Sequence, residues 1–372
     1  MAKPVFEKLR AAMVEDGFVA LVAHSLDNVT YTAGFQVPSH AMNRFRRTIT
    51  ILTPGGFERQ IVVNVEEALA RQRSRFADVV AYNQFNDDPA ALLAAALQEA
   101  GAGEGRIAIE LDFVPAMDFI KLRELLPNAE FVHARDLYFR VRMVKTDEEI
   151  SLLRRVGVLT EKVMAEVVSE LRPGVGENEV GANIMNKMLA AGADSVQLQV
   201  GSGERSGIIN CKPTEKKIES GDVVRIEILG DKDGYRSNVT RTMVMGSQTK
   251  EQADIWAVLI AARNACEAKL RPGLAVPDLW ETYRSYCVDH GIAPSLTFLG
   301  HGIGRTIHEE PYLTETRKLT LEAGVTHTME PLYMLPGRMG FHVEDMYLIT
   351  ADGFEKITGH IVPNDTLIEV KS

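Results

Sequence analysis

Leu171-Arg-Pro-Gly-Val175 recurs 99 residues later as Leu270-Arg-Pro-Gly-Leu274. Each copy follows a long stretch of helical spacing and precedes a second one. At the same offset, Gly201-Ser-Gly203 matches Gly300-His-Gly302. Further on, KKIESGDVVRIE (216–227) aligns with RKLTLEAGVTHTME (317–330). In both, a glycine (Gly221 or Gly324) precedes a strand that ends six residues later in a glutamate (Glu227 or Glu330). A second strand then carries Asn238 in the first copy and Glu344 in the second. One such match arises easily by chance. Three in order predict a duplicated helix–helix–strand–hairpin unit, with halves at about 150–246 and 250–350. Two halves facing each other bring equivalent strand ends to one central cleft.

Working outward, Thr146-Asp-Glu-Glu149 reads as a capping box opening a long helix, with Arg172-Pro-Gly174 as its stop. A domain boundary is expected just before it, near Val141–Lys145. Residues 1–140 alternate strand patterns (FVALVAH, RTITILT, RIAIELD) with helical ones (VEEALARQRSRF, DDPAALLAAALQEAG). That alternation predicts a smaller α/β domain ahead of a catalytic domain at 145–372. The fold class expected for the whole chain is α+β.

The chemistry-bearing residues concentrate in the second half. Gly300-His-Gly-Ile-Gly-Arg-Thr-Ile-His308-Glu-Glu-Pro311 places two histidines in a glycine-rich stretch, and glycine permits close backbone approach to a ligand. Imidazole is a metal ligand or a proton donor near neutral pH. Met329-Glu-Pro331 and Val343-Glu-Asp345 end apolar strands in carboxylates, and the duplication partners Glu330 with Glu227. Converging carboxylates bind cations or share protons. Glutamate oxygens with one imidazole suit Mn, Co, Fe or Zn.

Composition narrows the function classes. The chain is 45% hydrophobic and 25% charged, ordinary for a globular protein, with a formal net charge of −10. That balance argues against nucleic acid or an anionic membrane as partner. Arg44, Arg46 and Arg47 form a local basic cluster too short to change this. The acid-bearing start reads as no signal peptide, and no apolar run reaches the ~18 residues of a membrane span. Cys211, Cys266 and Cys287 are few and widely spaced, as for thiols in a reducing cytoplasm.

GHGIG-xxx-HEEP, the Met-Glu-Pro and Val-Glu-Asp strands and Tyr235-Arg-Ser-Asn-Val-Thr-Arg-Thr242 together resemble the pita-bread metallopeptidase family of prolidase, aminopeptidase P, methionine aminopeptidase and creatinase. Asn28-Val-Thr-Tyr-Thr-Ala-Gly-Phe35 resembles the N-terminal domain of its prolidase and creatinase branch. The resemblance implies a duplicated pita-bread catalytic domain, a homodimer and a short-peptide or other small-molecule substrate. It implies metal ligands at His301, Glu330, Glu344 and Glu227, and a substrate-contacting or intermediate-stabilising role for His308. It places Asn238 where a bridging aspartate stands, Asn210 where a substrate-contacting histidine stands, and His342 where an arginine stands. The segment Pro38–Arg47 becomes a cap over the partner's cleft, with Arg46 or Arg47 facing a substrate carboxylate. Glu227, Glu330 and Glu344 supply three negative charges against the four that two divalent ions need. One ion on His301, Glu330 and Glu344, or none, fits that count. Three functions follow. The first is a metal-assisted hydrolase of small amide or X-Pro bonds using Glu330 or Glu344 and His308. The second is a metal-independent, creatinase-like C–N hydrolase, and the third a non-catalytic binding module.

Overall fold

A computed structural model describes residues 4–43 and 45–371. The chain divides into two compact units, Met1–Arg142 and Met143–Ser372. Among the described residues, no helix is long and apolar enough to cross a membrane.

The first unit is a six-stranded mixed sheet of β1 (Ala20–Ala23), β2 (Ile49–Leu52), β3 (Glu58–Val63), β4 (Val79–Tyr82), β5 (Gly105–Ile109) and β6 (Ala129–His133), in the order β4-β3-β2-β1-β5-β6. The strands expected from FVALVAH, RTITILT and RIAIELD are β1, β2 and β5. Apolar side chains cover both faces of this sheet, packing against helices that include Pro4–Asp16 and Pro89–Glu99. Asp88 caps the second of these by accepting from Ala90 N and Ala91 N. The Asn28 segment is a helix, Leu26–Ala33, closed by Gly34 at φ 82°. Its role is structural. Buried Glu110 accepts from His24 N, Ser25 N and Asn28 Nδ2, and Asn28 Oδ1 accepts from Arg142. Arg44 lies outside the described residues.

The second unit is built twice. Helix Asp147–Glu170 opens with the Thr146–Glu149 capping box, and helix Lys250–Glu267 opens with Thr249 and Gln252 in the same arrangement. A second helix follows each, Glu177–Ala190 and Val276–Asp289. The LRPG turns are equivalent atom for atom. Gly174 N donates to Ile218 O, and Gly273 N donates to Leu321 O, each at 2.8 Å. Both glycines have left-handed φ, 88° and 87°, which a side chain resists. The first half then forms β7 (Ser195–Ser202), β8 (Val223–Lys232) and β9 (Tyr235–Met245). The second forms β10 (Thr326–Met329), β11 (Leu332–Leu335), β12 (Met339–His342) and β13 (Asp345–Ile349), followed by β14 (Phe354–Lys356). β15 (Ile368–Val370) returns to pair with β9. Each half has its own apolar core beneath its helix pair. Each fully buried Val, Ile, Leu or Met contributes about 1.5–3 kcal/mol. The halves join where Thr240 and Glu344 pair as an isolated antiparallel bridge.

Candidate metal centre

Register sets the centre. In β8–β9, Glu227 lies opposite Thr240. In the second hairpin the last pair is Met329 with Asp345, so Glu330 and Glu344 are the next pair outward. Thr240 is therefore the register counterpart of Glu344, and the two bond each other across the pseudo-twofold junction. Thr240 N donates to Glu344 O and Glu344 N to Thr240 O, both at 3.3 Å. The Thr240 hydroxyl also donates to Glu344 Oε2 at 3.0 Å. Asn238 sits two residues earlier on β9, on the same face. Its Nδ2 donates to Glu344 Oε1 at 2.8 Å.

His301 is held against this pair by backbone. Thr328 N donates to His301 O at 2.7 Å and Glu330 N to Leu299 O at 2.8 Å. The flanking glycines make that approach possible. A Cβ on Gly300 would stand 2.1 Å from Thr328 O, and one on Gly302 would stand 2.2 Å from Glu310 O. The atoms they approach so closely are thus backbone, where the sequence reading looked to a ligand. His301 Nδ1 lies 3.0 Å from Gly302 O. A carbonyl only accepts, so Nδ1 carries the proton and Nε2 keeps its lone pair. That lone pair lies 3.5 Å from Glu330 Oε1 and 3.8 Å from Glu344 Oε1. One ligand atom each from His301, Glu330 and Glu344 falls within a 4.8 Å cluster. His301 Nε2 and Glu330 Oε1 are buried without hydrogen-bond partners. Orphaned acceptors of this kind are costly, and converging on one point they fit a cation.

The electrostatics agree. Burial pushes Glu227 up to about 7, against the pull of Arg225 and Asn238. Burial and then the Glu227 charge push Glu330 well above the carboxylate range. Glu344 is raised likewise by burial, then by Glu330 and Glu227, with Thr240 opposing. Burial and the neighbouring His308 bring His301 down to about 3, and burial and Arg225 hold His342 well below the imidazole range. The imidazoles are neutral, which is their ligand form. Without a cation the three carboxylates do not all ionise.

The remaining expected residues spread out. His308 is exposed, and its ring stacks on His301 at 3.6 Å between centroids and 15° between planes. Its loop is anchored by a buried ion pair, Lys145 Nζ to Glu309 at 2.7 Å. His342 Nε2 lies 3.3 Å from Glu330 Oε2. Asn210 is exposed and accepts from Gln199, outside the carboxylate cluster. Arg46 and Arg47 belong to the first unit, where they donate to Gln84 at 3.0 Å and to Asp118 at 2.7 Å.

Four residues at the centre carry roles the motifs did not predict. Thr240, Arg241 and Thr242 fasten the strand bearing Glu344. Arg241 donates to Glu344 O at 3.0 Å and pairs with Asp345, while Thr242 Oγ1 donates to His342 O at 2.7 Å. Arg225 is 1% exposed and places Nη1 3.8 Å from Glu227 Oε2 and 3.4 Å from His342 Nδ1. Strand alternation was the available signal. If Glu227 faces the cleft, so does the residue two before it.

Residues 151–351 match metallopeptidase family M24, and residues 6–144 match the creatinase/prolidase N-terminal domain. The probable dipeptidase PepE of Mycobacterium tuberculosis is 31% identical over 352 residues, covering 92% of this chain and 90% of that protein. The dipeptidase PepE of Mycobacterium ulcerans superposes with a TM-score of 0.86 at 29% identity, covering 99% of this chain and 98% of that one. The Xaa-Pro dipeptidase of Bacillus anthracis gives 0.86 at 26% identity, covering 99% of both. With the duplicated halves, the histidine–glutamate cluster at their junction and these matches along its length, the chain belongs to metallopeptidase family M24, its peptidase domain preceded by a creatinase/prolidase-type N-terminal domain.

Proposed function

We propose that this M24 hydrolase cleaves dipeptides or X-Pro bonds with one divalent transition metal, Mn, Co, Fe or Zn, held by His301 Nε2, Glu330 and Glu344. The observation that carries the reading is the convergence of one bare imidazole nitrogen and two carboxylates within 4.8 Å. A bound ion of this kind supplies Lewis-acid polarisation of a carbonyl and a lowered pKa for water. The protein groups then divide the work by their hydrogen bonds. Glu344 is held by Asn238 and Thr240, so its carboxylate is fixed in place. Burial and the Glu227 charge raise the proton affinity of Glu330, so Glu330 is the group assigned to take a proton from the attacking water and pass it to the leaving nitrogen. His308, exposed and stacked on His301, donates to the oxygen of the tetrahedral intermediate. Glu227 adds a third carboxylate that attracts the substrate's amino group. Asn210 and His342 are proposed to contact substrate from the cleft's rim and floor.

The similarity to a probable dipeptidase and to an Xaa-Pro dipeptidase supports this substrate class. A cytoplasmic homodimer is part of the same reading. Arg46, whose partner Gln84 is uncharged, is assigned to a substrate carboxylate in preference to Arg47, which is neutralised by Asp118. Asn238 in place of a bridging acid favours the metal-independent alternative. One experiment separates the two. Purified protein is stripped with chelator, assayed on a panel of X-Pro and other dipeptides, and reloaded with each metal. Loss and recovery of turnover are expected; undiminished turnover in the stripped, metal-assayed protein sinks the proposal. Failure to turn over any of the panel with metal bound points to the non-catalytic module.

A further inference from the structure

Arg225 is buried at the centre beside the carboxylates. Its Nε donates to Ser206 O at 3.3 Å, and its Nη2 donates to Ile208 O and Ile209 O. Those bonds fix the guanidinium with Nη1 toward Glu227 and His342. Two consequences follow from this placement.

The first is charge. Glu227, Glu330 and Glu344 carry three negative charges when ionised, and guanidinium carries one fixed positive charge. The remainder is two, the charge of one divalent ion. The Asn238 amide reinforces the limit, since its Nδ2 occupies Glu344 Oε1, and a neutral group there adds nothing to hold a second cation. The second is tautomer. Arginine has no acceptor, so the imidazole nitrogen facing it, His342 Nδ1, must accept. The His342 proton then sits on Nε2, which lies 3.3 Å from Glu330 Oε2 without a hydrogen bond to it. His301 is the reverse case, with its proton on Nδ1 and its lone pair at the centre. Two neighbouring imidazoles are thereby sorted, one presenting a lone pair to the centre and one a proton.

We propose that Arg225 stands where a second metal ion's charge would be needed: with Asn238 it restricts the centre to one divalent ion, and it fixes the His342 proton on Nε2, so that His342 is not a ligand. Arg225 is a positioning residue in this scheme. The position that the family resemblance assigns to an arginine is His342, on β12, whereas the cationic group here comes from β8 in the first half's sheet. The proposal rests on the metal-binding reading of the centre.

The test counts ions on the full chain. Wild type, Arg225→Lys, Asn238→Asp and the double variant Arg225→Met/Asn238→Asp are stripped and titrated with Mn²⁺ by calorimetry. Bound metal is measured by elemental analysis, and the loaded proteins are examined by electron paramagnetic resonance. Wild type and Arg225→Lys bind one ion with an uncoupled six-line spectrum. Asn238→Asp, which keeps the guanidinium, also binds one. The double variant binds two, its second site at least ~100-fold tighter than any in wild type, with an exchange-coupled spectrum. Arg225 also holds three carbonyls, so the double variant can fail to fold; Asn238→Asp and Arg225→Lys decide the matter alone. Two ions in Asn238→Asp overturn the role of Arg225 while leaving a metalloenzyme. Two in wild type do the same. No ion in wild type overturns the metal-binding reading itself. Histidine ¹⁵N shifts add a second readout: a bare Nε2 on His342 overturns the tautomer assignment.

Discussion

The two halves of the catalytic unit share a backbone and differ in what they present. At the LRPG turns, the helix caps and the hairpin registers they are equivalent to within a hydrogen bond. At their junction the second half offers His301, Glu330 and Glu344, all aimed inward with bare or charged acceptors. The first half offers Glu227, Thr240, Asn238 and Arg225, of which only the first is an anion. One half carries the clustered acceptors and the other braces them, since Thr240 and Asn238 donate to the very carboxylate that Thr240 matches in register. Duplication supplies two similar strand ends; a few side chains decide that only one of them carries the histidine–glutamate cluster.

The sharpest way to break this division is to strike the second half. Glu344→Gln removes a ligand and a negative charge, and should lower kcat/KM on an X-Pro dipeptide by at least ~10³-fold, about 4 kcal/mol of transition-state stabilisation. Metal content measured alongside should fall; an active, metal-loaded variant would remove Glu344 from the ligand set.

The next effect is on stability in the stripped protein. Glu227 has a folded pKa of about 7, above its ordinary 4.5. A carboxyl with a raised folded pKa contributes stability that is complete below about 4.5 and lost as pH rises toward 7. The loss from this group is about 3 kcal/mol. Denaturant melts of chelated protein should therefore weaken from pH 4.5 to 7, while metal-loaded protein, whose ligands bind best deprotonated, should hold or gain over that window. Parallel curves for the two forms would show that the carboxylates do not converge as described.

The first half's supporting role predicts a smaller effect. Thr240→Val keeps the shape but removes the hydroxyl bonded to Glu344. Metal affinity should drop about 10- to 100-fold without loss of the ion's stoichiometry. An unchanged dissociation constant would make Thr240 packing alone.

The smallest effect tests the equivalence itself. Thr146→Ala and Thr249→Ala each remove a cap from corresponding helices, and each should cost about 1 kcal/mol in denaturant midpoint analysis. Salt should separate them. The first box closes with the Glu149 carboxylate and the second with the neutral Gln252 amide, so only the Thr146 helix should be sensitive to ionic strength.

Much of this was legible in the chain. The LRPG repeat exposed the duplication because a left-handed glycine after Arg-Pro is a local requirement that each copy must meet by itself. The histidine and glutamate motifs named the residues that cluster, His301, Glu330 and Glu344, because strand ends and glycine turns are short-range features. Arg225 was legible only conditionally. An arginine in a strand ordinarily reads as solvated, and its burial follows only once Glu227 is known to point inward. Thr240 was hidden for a similar reason. Its partnership with Glu344 spans 104 residues and depends on hairpin register. The glycines of the His301 stretch read as sites of close approach, but what they approach is the backbone of Thr328 and Glu310, a pairing that spacing alone does not reveal.

The sequence by itself determined the duplication, the strand ends and the identity of the groups that meet there, because these rest on local backbone rules and residue type. Tertiary structure alone decided which half gathers the histidine–glutamate cluster, which imidazole turns its lone pair to it, and that a guanidinium from β8 shares the site. Those outcomes depend on distances between residues far apart in the chain, and on burial, which turns a fixed charge near a carboxylate from a screened surface feature into a strong local field.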